Sequence, residues 1–352
     1  MTAPATYVLP IRCGPGGTPP DLTAYLAGLA GRLEVVVVDG SLPEVFADHH
    51  RAWAPLGVRH VPPDAGLECA NGKVAGVLTG LRLARHDRVV VADDDVRYGV
   101  EALERTVALL DRADLVRPQN HFVPVPWHAA WDTGRILLNR LFGGDYPGTL
   151  AVRRSVVLAA GGYDGDVLFE NLELIRTVQA AGGVVVTPLD LFVPRQPPTT
   201  AKFFSQRVRQ AYDDFAQPAR LAAALAVLPT VALVLGRRGS PRRAARRLGA
   251  AAAAIAVAAE AGRRRGGGRC VFPRSASLLA PLWVLERGVC SWLAVATRIR
   301  SGGCPYAGRI VRRAANSRRA LCRRIRAARS SAGQSGGRTA RISTSNRPAG
   351  AS

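Results

Sequence analysis

The most informative shortage in this 352-residue chain is of acidic residues in its C-terminal part. Residues 220–352 carry 27 Lys and Arg but 2 Asp and Glu, whereas residues 1–219 carry 21 basic and 24 acidic residues. A charge asymmetry of this size indicates two physically different modules. We therefore predict a near-neutral globular body followed by a basic appendage that is rich in alanine and arginine.

Cysteine pairs and a leader segment are also missing. The six cysteines show no CxxC pair and no zinc-finger spacing, so neither a cysteine metal knuckle nor a disulfide framework is suggested. The first residues, Met1-Thr2-Ala3-Pro4, lack a basic segment followed by an apolar core, so no signal peptide is predicted. We expect the globular body to lie on the cytoplasmic side of the cell membrane.

Uninterrupted apolar runs of 20 residues are absent, although three shorter or broken runs occur at Leu221–Leu235, Gly249–Ala259 and Leu278–Ile299. If the first run crossed a membrane, six arginines within Arg237–Arg247 would lie on the far side, against the positive-inside tendency. A re-entrant or interfacial hairpin avoids this conflict, because its arginines reach anionic headgroups. Membrane association is predicted, with the number of crossings open and a soluble helical appendage as the alternative. No nucleic acid partner is expected, because the arginine runs lack interleaved aromatics and a recognisable reader module.

Residues 1–120 alternate strand-like apolar runs with helical patterns. The runs lie at Tyr7–Ile11, Glu34–Val38, Val58–Val61 and Val89–Ala92. This alternation predicts an α/β fold, with a mostly parallel sheet and helices on both faces. Residues 118–150 read as less regular. The predicted organisation is a body over 1–219, a membrane-associated helical region over 220–315 and a basic, disordered tail over 316–352.

Three consecutive carboxylates, Asp93-Asp94-Asp95, follow the run Val89–Ala92. The carboxyl edge of a parallel sheet is where open α/β folds bind ligands. Acids crowded at that edge repel one another, and a divalent cation bound by oxygen ligands would relieve the repulsion and bring phosphates with it. We therefore predict a Mg²⁺ or Mn²⁺ site; a solvated loop or an acidic helix start is the alternative.

Further polar groups fall at comparable places. Asp39 follows the second strand, Lys73 begins a helix after Asn71-Gly72, and Glu170 opens a helix after a glycine-rich loop. A nucleotide requires a polar group for its base and cations for its phosphates. These residues would supply both from one edge of the sheet.

The order and spacing of these segments resemble the family 2 glycosyltransferases, which are inverting enzymes with the Rossmann-like GT-A fold. The matching segments are Val8-Leu9-Pro10, Val37-Val38-Asp39-Gly40-Ser41, Gly72-Lys73, Val91-Ala92-Asp93-Asp94-Asp95-Val96, Gly161-Gly162-Tyr163-Asp164, Glu170-Asn171-Leu172-Glu173-Leu174 and Gln206-Arg207-Val208-Arg209. The resemblance covers about residues 6–215. The later hydrophobic segments are similar to the membrane-attached branch that includes ceramide glucosyltransferase-like enzymes.

The resemblance implies a role for each matching residue. The implied donor site comprises Pro10, Asp39, Lys73, Asp93, Asp94, Gln206 and Arg209. Asp39 would contact the nucleotide base. Asp93 and Asp95 would be the two acids of a DxD motif that holds the metal, with Asp95 the preferred direct ligand. Gln206 and Arg209 would belong to a QxxRW element that holds the diphosphate and the acceptor.

The chain departs from the family pattern at two positions. The family's Glu-Asp pair, whose Asp is the usual catalytic base, is Glu170-Asn171 here, and an amide cannot accept a proton from the acceptor. Glu170 becomes the first candidate base, followed by Asp164 and Asp166. The tryptophan of QxxRW is replaced by Gln210, which removes a stacking surface.

The expected activity is transfer of a sugar from a nucleotide-diphosphate donor to a hydroxyl or phosphate acceptor, with inversion. A lipid or polyprenyl-type acceptor is expected, and Trp127, Trp131 and Phe142 are candidates to line its groove. A nucleotidyltransferase and a non-catalytic membrane protein that binds nucleotide sugars are the alternatives. His49 and His50, in a polar helical segment, are predicted to be exposed.

Overall fold

The protein is described here by a computed structural model covering residues 4–236 and 240–339. The strands are β1 Thr6–Ile11, β2 Glu34–Asp39, β3 Arg59–Val61, β4 Arg88–Ala92, β5 Leu115–Val116, β6 Gln119–Phe122, β7 Thr149–Arg153, β8 Val185–Val186, β9 Phe192–Arg195, β10 Cys304–Tyr306 and β11 Arg309–Val311. The helices are α1 Leu22–Ala30, α2 Pro43–Trp53, α3 Gly72–Leu83, α4 Val100–Ala108, α5 Trp127–Leu141, α6 Arg154–Ala159, α7 Glu170–Ala180, α8 Thr200–Tyr212, α9 Pro218–Gly236, α10 Pro241–Arg264, α11 Arg274–Ser301 and α12 Arg318–Thr339.

A seven-stranded sheet with the order β3-β2-β1-β4-β7-β5-β8 forms the centre of the described chain. Strand β7 runs antiparallel to β4 and β5, and the other neighbouring strands are parallel. The prediction of a mostly parallel, Rossmann-like α/β sheet is confirmed. Successive residues of a strand pack on opposite faces, as when Val36 joins one core and Val37 the other. Cover on both faces explains why these strands are continuous valine runs.

Helix α3 lies unusually close to β1. A Cβ atom on Gly80 would lie 2.3 Å from Cγ1 of Val8, and one on Gly76 would lie 2.9 Å from Cβ of Pro10. Only glycine permits this approach of a helix to a strand. The contact places Lys73, at the start of α3, beside the carboxyl end of β1.

Helix α11, which the sequence analysis predicted to lie in the membrane-associated region, packs against the body. It packs along α5, where a Cβ atom on Gly134 would lie 2.9 Å from Cα of Ala280. Its Glu286 accepts from Nη2 of Arg207, in α8, at 2.6 Å. Helices α9 and α11 are long and apolar enough to cross a membrane, with mean hydropathies of 2.0 and 1.4. The most apolar 18 residues of α9 are only 6% buried, and those of α11 are 39% buried.

The chain after α11 returns to the body instead of remaining an appendage and a disordered tail. Strands β10 and β11 pair as an antiparallel hairpin, and Phe169 N then donates to Ala314 O at 2.8 Å. Helix α12 follows and packs against α7, with Leu321 and Ile325 buried. Over Arg318–Thr339 the structure has a helix where disorder was predicted, and two apolar residues four positions apart give α12 a buried stripe among its arginines. Residues 340–352 of that predicted tail lie outside the described residues.

Candidate active site

A cavity of about 630 Å³ lies at the carboxyl edge of β1 and β4. It is lined by residues that the sequence places far apart. The predicted site residues that line it are Pro10, Lys73, Asp93, Asp94, Asp95, Glu170, Gln206 and Arg209. They come from β1, the start of α3, the turn after β4, the start of α7 and helix α8. One sheet edge thus collects most of the predicted groups, as the strand-end argument requires.

Lys73 joins two of the acids at the centre of this cavity. Its Nζ lies 2.5 Å from Oδ1 of Asp93 and 2.7 Å from Oε1 of Glu170. Burial alone would lower the pKa of Lys73, but the two carboxylates outweigh burial and raise the pKa well above its ordinary value. Lys73 is therefore a permanent cation that holds Asp93 and Glu170 together.

Asp93 is held by two cations and by a close backbone contact. Burial alone would raise its pKa, but Lys73 and Arg195 lower the pKa below its ordinary value. Nη2 of Arg195 lies 3.5 Å from Oδ2 of Asp93. A Cβ atom on Gly148 would lie 2.7 Å from the same oxygen, so this position has no room for a side chain.

Asp95 has an oxygen without a partner. Its Oδ2 accepts from Nε of Arg195 at 2.8 Å, whereas its Oδ1 is buried and has no hydrogen-bond donor within residues 4–236 and 240–339. Burial raises the pKa of Asp95; Arg195 opposes this effect and the neighbouring Asp93 adds to it. A buried carboxylate oxygen of this kind calls for a positive ligand, because burying an unpaired acceptor is costly. Oxygen atoms of Asp93 and Asp95 therefore fit a hard divalent cation.

One face of the α8 region forms another wall of the cavity. Gln206, Arg209, Gln210 and Asp213 are spaced i, i+3, i+4 and i+7, and all four line the cavity. The guanidinium of Arg209 lies 5.6 Å from the ring centroid of Tyr306, in β10. The C-terminal hairpin thus covers this part of the cavity.

Asp39 is engaged inside the protein instead of lining the cavity. Its Oδ2 lies 2.6 Å from Nδ1 of His49 and 3.1 Å from Nε2 of His60, and its Oδ1 accepts from Ser41 N at 2.8 Å. Burial would raise the pKa of Asp39, but these hydrogen bonds lower it well below its ordinary value. A nucleotide base would reach the Asp39 carboxylate only after a histidine moved. The neighbouring Gly40 does line the cavity.

The prediction that His49 is exposed is wrong. His49 is 5% exposed, and its ring stacks on Trp53 with centroids 4.3 Å apart. The ligand atoms of Asp39, His49 and His60 lie within 4.8 Å of one another, a grouping that could hold a metal ion. However, the histidine nitrogens already contact Asp39, and Nε2 of His49 lies 2.6 Å from Oγ1 of Thr18. The cluster is satisfied as a hydrogen-bonded network.

Asp164 and Asp166 stand outside the described cavity lining. Oδ1 of Asp166 accepts from Ala70 N at 2.9 Å. Oδ1 of Asp164 accepts from Asp166 N at 2.9 Å, and its Oδ2 accepts from Nδ2 of Asn316 at 2.8 Å. Both carboxylates tie loops together.

The predicted aromatic groove is also absent from the lining that the described residues form. Trp127 and Phe142 are exposed, at 56% and 86%, and Trp131 contacts Trp127. The aromatic residues that line the cavity are instead Phe122, Tyr146, Phe169, Phe203 and Tyr306.

The charged residues of the lining that the sequence analysis missed include Arg195, Asp213 and Arg287. Arg195 ends the short strand β9, in a proline-rich stretch with no strong pattern. Asp213 continues the spacing of Gln206 and Arg209, which is a helical signal that could have found it. Arg287 lies in α11, so only the packing of α11 against the body could reveal it.

No family model matches this chain, and no curated protein matches it. Among solved structures, a mannosyltransferase from Pyrobaculum calidifontis in complex with GDP-Man and Mn²⁺ is 19% identical, with a TM-score of 0.49 over 82% of this chain and 86% of that one. A glucosyl-3-phosphoglycerate synthase from Mycobacterium tuberculosis is 16% identical, with a TM-score of 0.40 over 57% and 75%. A mannosyl-3-phosphoglycerate synthase from Rubrobacter xylanophilus is 16% identical, with a TM-score of 0.39 over 59% and 74%. Similarities of this size identify neither a family nor an activity.

Proposed function

We propose that this protein is a membrane-associated, inverting glycosyltransferase that uses a nucleotide-diphosphate sugar. The observation that carries the proposal is the convergence, in one cavity, of acids for a cation and of fixed positive charges for a diphosphate. The donor residues that the resemblance to family 2 implies line this cavity, with the exception of Asp39.

The donor site would be built around Asp93 and Asp95. We propose that these two residues hold a Mg²⁺ or Mn²⁺ ion, which would neutralise charge on the diphosphate leaving group. Lys73, Arg195 and Arg209 line the same cavity and add fixed positive charge for the phosphates. Pro10, Asp94 and Gln206 complete the donor side as lining residues. The base contact expected of Asp39 requires rearrangement of the histidines that cover it.

The transfer step requires a carboxylate beside the acceptor. In a single inverting displacement, the acceptor oxygen attacks the anomeric carbon from the face opposite the diphosphate and loses its proton to a base. Glu170 and Asp213 both line the cavity and are the two candidates for that base. Asp164 and Asp166, also considered from the sequence, are held in loop contacts.

The exposed apolar surface supports attachment to a membrane. Leu278 and Ile299 of α11 are 74% and 79% exposed, and Leu233 of α9 is 65% exposed. Arginines flank these helices, which suits an interface with anionic headgroups. A lipid-linked or polyprenyl-type acceptor reached from the cytoplasmic face agrees with this placement.

The test is a donor panel on the full chain in detergent. UDP-glucose, GDP-mannose and other nucleotide sugars are incubated with Mn²⁺ and a membrane lipid extract, and products are identified by mass spectrometry. We expect nucleoside diphosphate and a glycosylated product, both lost in Asp95→Ala. Release of pyrophosphate would favour a nucleotidyltransferase, and binding of donors without turnover of any would favour a non-catalytic protein.

A further inference from the structure

Asp213 lies at the first position of the 3₁₀ turn Asp213–Ala216, directly after α8. It follows Gln206 by seven residues and Arg209 by four, so it extends the cavity-lining face of the helix. Asp213 thus belongs to the same cavity lining as Lys73 and Glu170.

One oxygen of Asp213 is buried without a partner. Oδ1 has no hydrogen-bond donor in the part of the chain that the structure describes. Native proteins rarely leave a buried side-chain oxygen in this state, and the residue that carries it lines the cavity. A hydroxyl is the simplest group that can donate to this oxygen.

The environment of Asp213 brings its pKa close to neutral pH, where the carboxylate can accept and release a proton. Burial raises its pKa to about 7, with Arg209 and Arg287 opposing the rise and Glu170 and Asp214 adding to it. The ionisable groups that influence it from neighbouring elements are Glu170 of α7, Arg209 of α8, Asp214 of its own turn, Arg287 of α11 and Cys304 of β10. A base with such a pKa is effective near neutral pH.

Glu170 is less suited to accept the proton. Its Oε1 lies 2.7 Å from Nζ of Lys73, a permanent cation that also binds Asp93. The neighbouring Asn171 donates its Nδ2 to Pro147 O at 2.9 Å, so it acts as a tether at the position where the family pattern has its base. Glu170 thus orients Lys73 on the donor side.

We propose that Asp213 is the general base of the transfer and that the acceptor nucleophile is a hydroxyl. This inference rests on the proposed function. As the acceptor oxygen forms its bond to the anomeric carbon, its proton passes to the carboxylate of Asp213. The bond between the anomeric carbon and the diphosphate oxygen breaks, and its electron pair leaves with the nucleoside diphosphate. Asp213 then returns the proton to solvent.

The experiment measures nucleoside diphosphate release by the full chain in detergent, with Mn²⁺, UDP-glucose or GDP-mannose, and water as the acceptor. The wild-type rate should fall on the acid side of about pH 7, where the base is protonated. Asp213→Asn should lower kcat by about 10²–10⁴-fold and remove this acid limb. Its KM for the donor should change by less than about twofold, because Asp213 does not hold the diphosphate. Glu170→Gln should lose rate and keep an acid limb, which should move to lower pH because the charge of Glu170 contributes to the raised pKa of Asp213.

Three outcomes separate this inference from the proposed function. Wild type that releases no nucleoside diphosphate from any nucleotide sugar of the donor panel, with water or with the membrane lipid extract as the acceptor, overturns the proposed function and the inference with it. Wild type that turns over while Asp213→Asn keeps both rate and acid limb overturns the inference alone. If Asp213→Asn does not fold, the wild-type profile still decides, because a flat profile between about pH 5 and pH 9 contradicts a base of this kind. Asp48→Asn, an exposed charge change away from the cavity, is the matched control and should leave the profile unchanged.

Discussion

Nζ of Lys73 lies 2.5 Å from Oδ1 of Asp93, and the same nitrogen lies 2.7 Å from Glu170. The ammonium group of Lys73 therefore lies beside the carboxylates of the turn after β4, where a bound divalent cation would also lie. The ammonium group of Lys73 and a bound metal ion would both be attracted to the carboxylate of Asp93, so each would weaken the binding of the other. The negatively charged phosphates of a donor would remove this competition, because they can bind the ammonium group and the metal ion at the same time.

Replacing Lys73 by alanine tests this competition. Without the ammonium, Asp93 and Glu170 lose their shared counter-charge, so Mn²⁺ should bind the donor-free protein about 5- to 10-fold more tightly. Binding of the nucleotide sugar should weaken, because one phosphate partner is removed. Calorimetry with Mn²⁺ alone and then with UDP-glucose or GDP-mannose measures both effects. Arg85→Ala removes a cation whose side chain is 80% exposed and serves as the control; weaker Mn²⁺ binding in Lys73→Ala would contradict the competition.

Asp95→Asn tests the cation site itself. The substitution keeps the shape of the side chain but removes the charge of a buried carboxylate whose Oδ1 is unpaired among the described residues. Mn²⁺ affinity should fall by at least about tenfold, and donor binding should no longer depend on Mn²⁺. The measurement is donor binding with and without Mn²⁺, compared with Asp48→Asn as an exposed acid control. Cation-dependent donor binding that survives in Asp95→Asn would remove Asp95 from the site.

The sheet and much of the cavity lining could be predicted because their signals are local. The valine run of β4 and the acidic triplet adjoin in sequence, and Lys73 directly follows the Asn71-Gly72 helix start. The sequence analysis missed strand β7 and helix α5. Residues 118–150 combine a proline- and tryptophan-rich stretch with a glycine-rich turn, and this composition obscured the two-residue period of the strand and the period of about 3.6 residues of the helix. The sequence also does not show which distant element packs over the end of a strand. Arg195 was missed for this reason.

In two helices, the overall polarity of the segment was considered instead of the spacing of its apolar residues. His49 has polar neighbours, yet Val45, His49 and Trp53 recur every four residues and form the buried face of α2. The same four-residue spacing of Leu321 and Ile325 marks the buried stripe of α12 among its arginines. In both helices a short apolar stripe decides packing, and the average composition conceals it.

The raised pKa of Asp213 also predicts that Asp213→Asn changes how the stability of the protein depends on pH. The pKa of Asp213 is about 7 in the folded protein against 3.8 for the ordinary side chain. Between these values the folded state binds a proton that the unfolded state does not, so stability falls as pH rises through this window and stays lower above it. The neutral amide avoids this loss. We expect the variant to match wild type near about pH 4 and to exceed its free energy of unfolding by roughly 1–3 kcal/mol above about pH 7. Thermal unfolding in detergent over that range is the measurement, and a difference in Tm that does not vary with pH would contradict the titration.

The exposed stripe of α11 allows the proposed attachment to a membrane to be tested. Leu278 and Leu282 are one helical turn apart and 74% and 41% exposed, on a helix whose other side packs against the body. Burying a leucine in an apolar phase is worth roughly 1.5–3 kcal/mol, so replacing both by glutamine should lower binding to anionic vesicles by at least about tenfold. Flotation of the full chain with vesicles is the measurement, and unchanged Tm shows that the fold is intact. Leu42→Gln changes a leucine that is 55% exposed on the α/β body and should float like wild type. Equal flotation of the α11 double variant and wild type would mean that this face of α11 does not enter the bilayer, and α9 would then be the remaining candidate for the attachment.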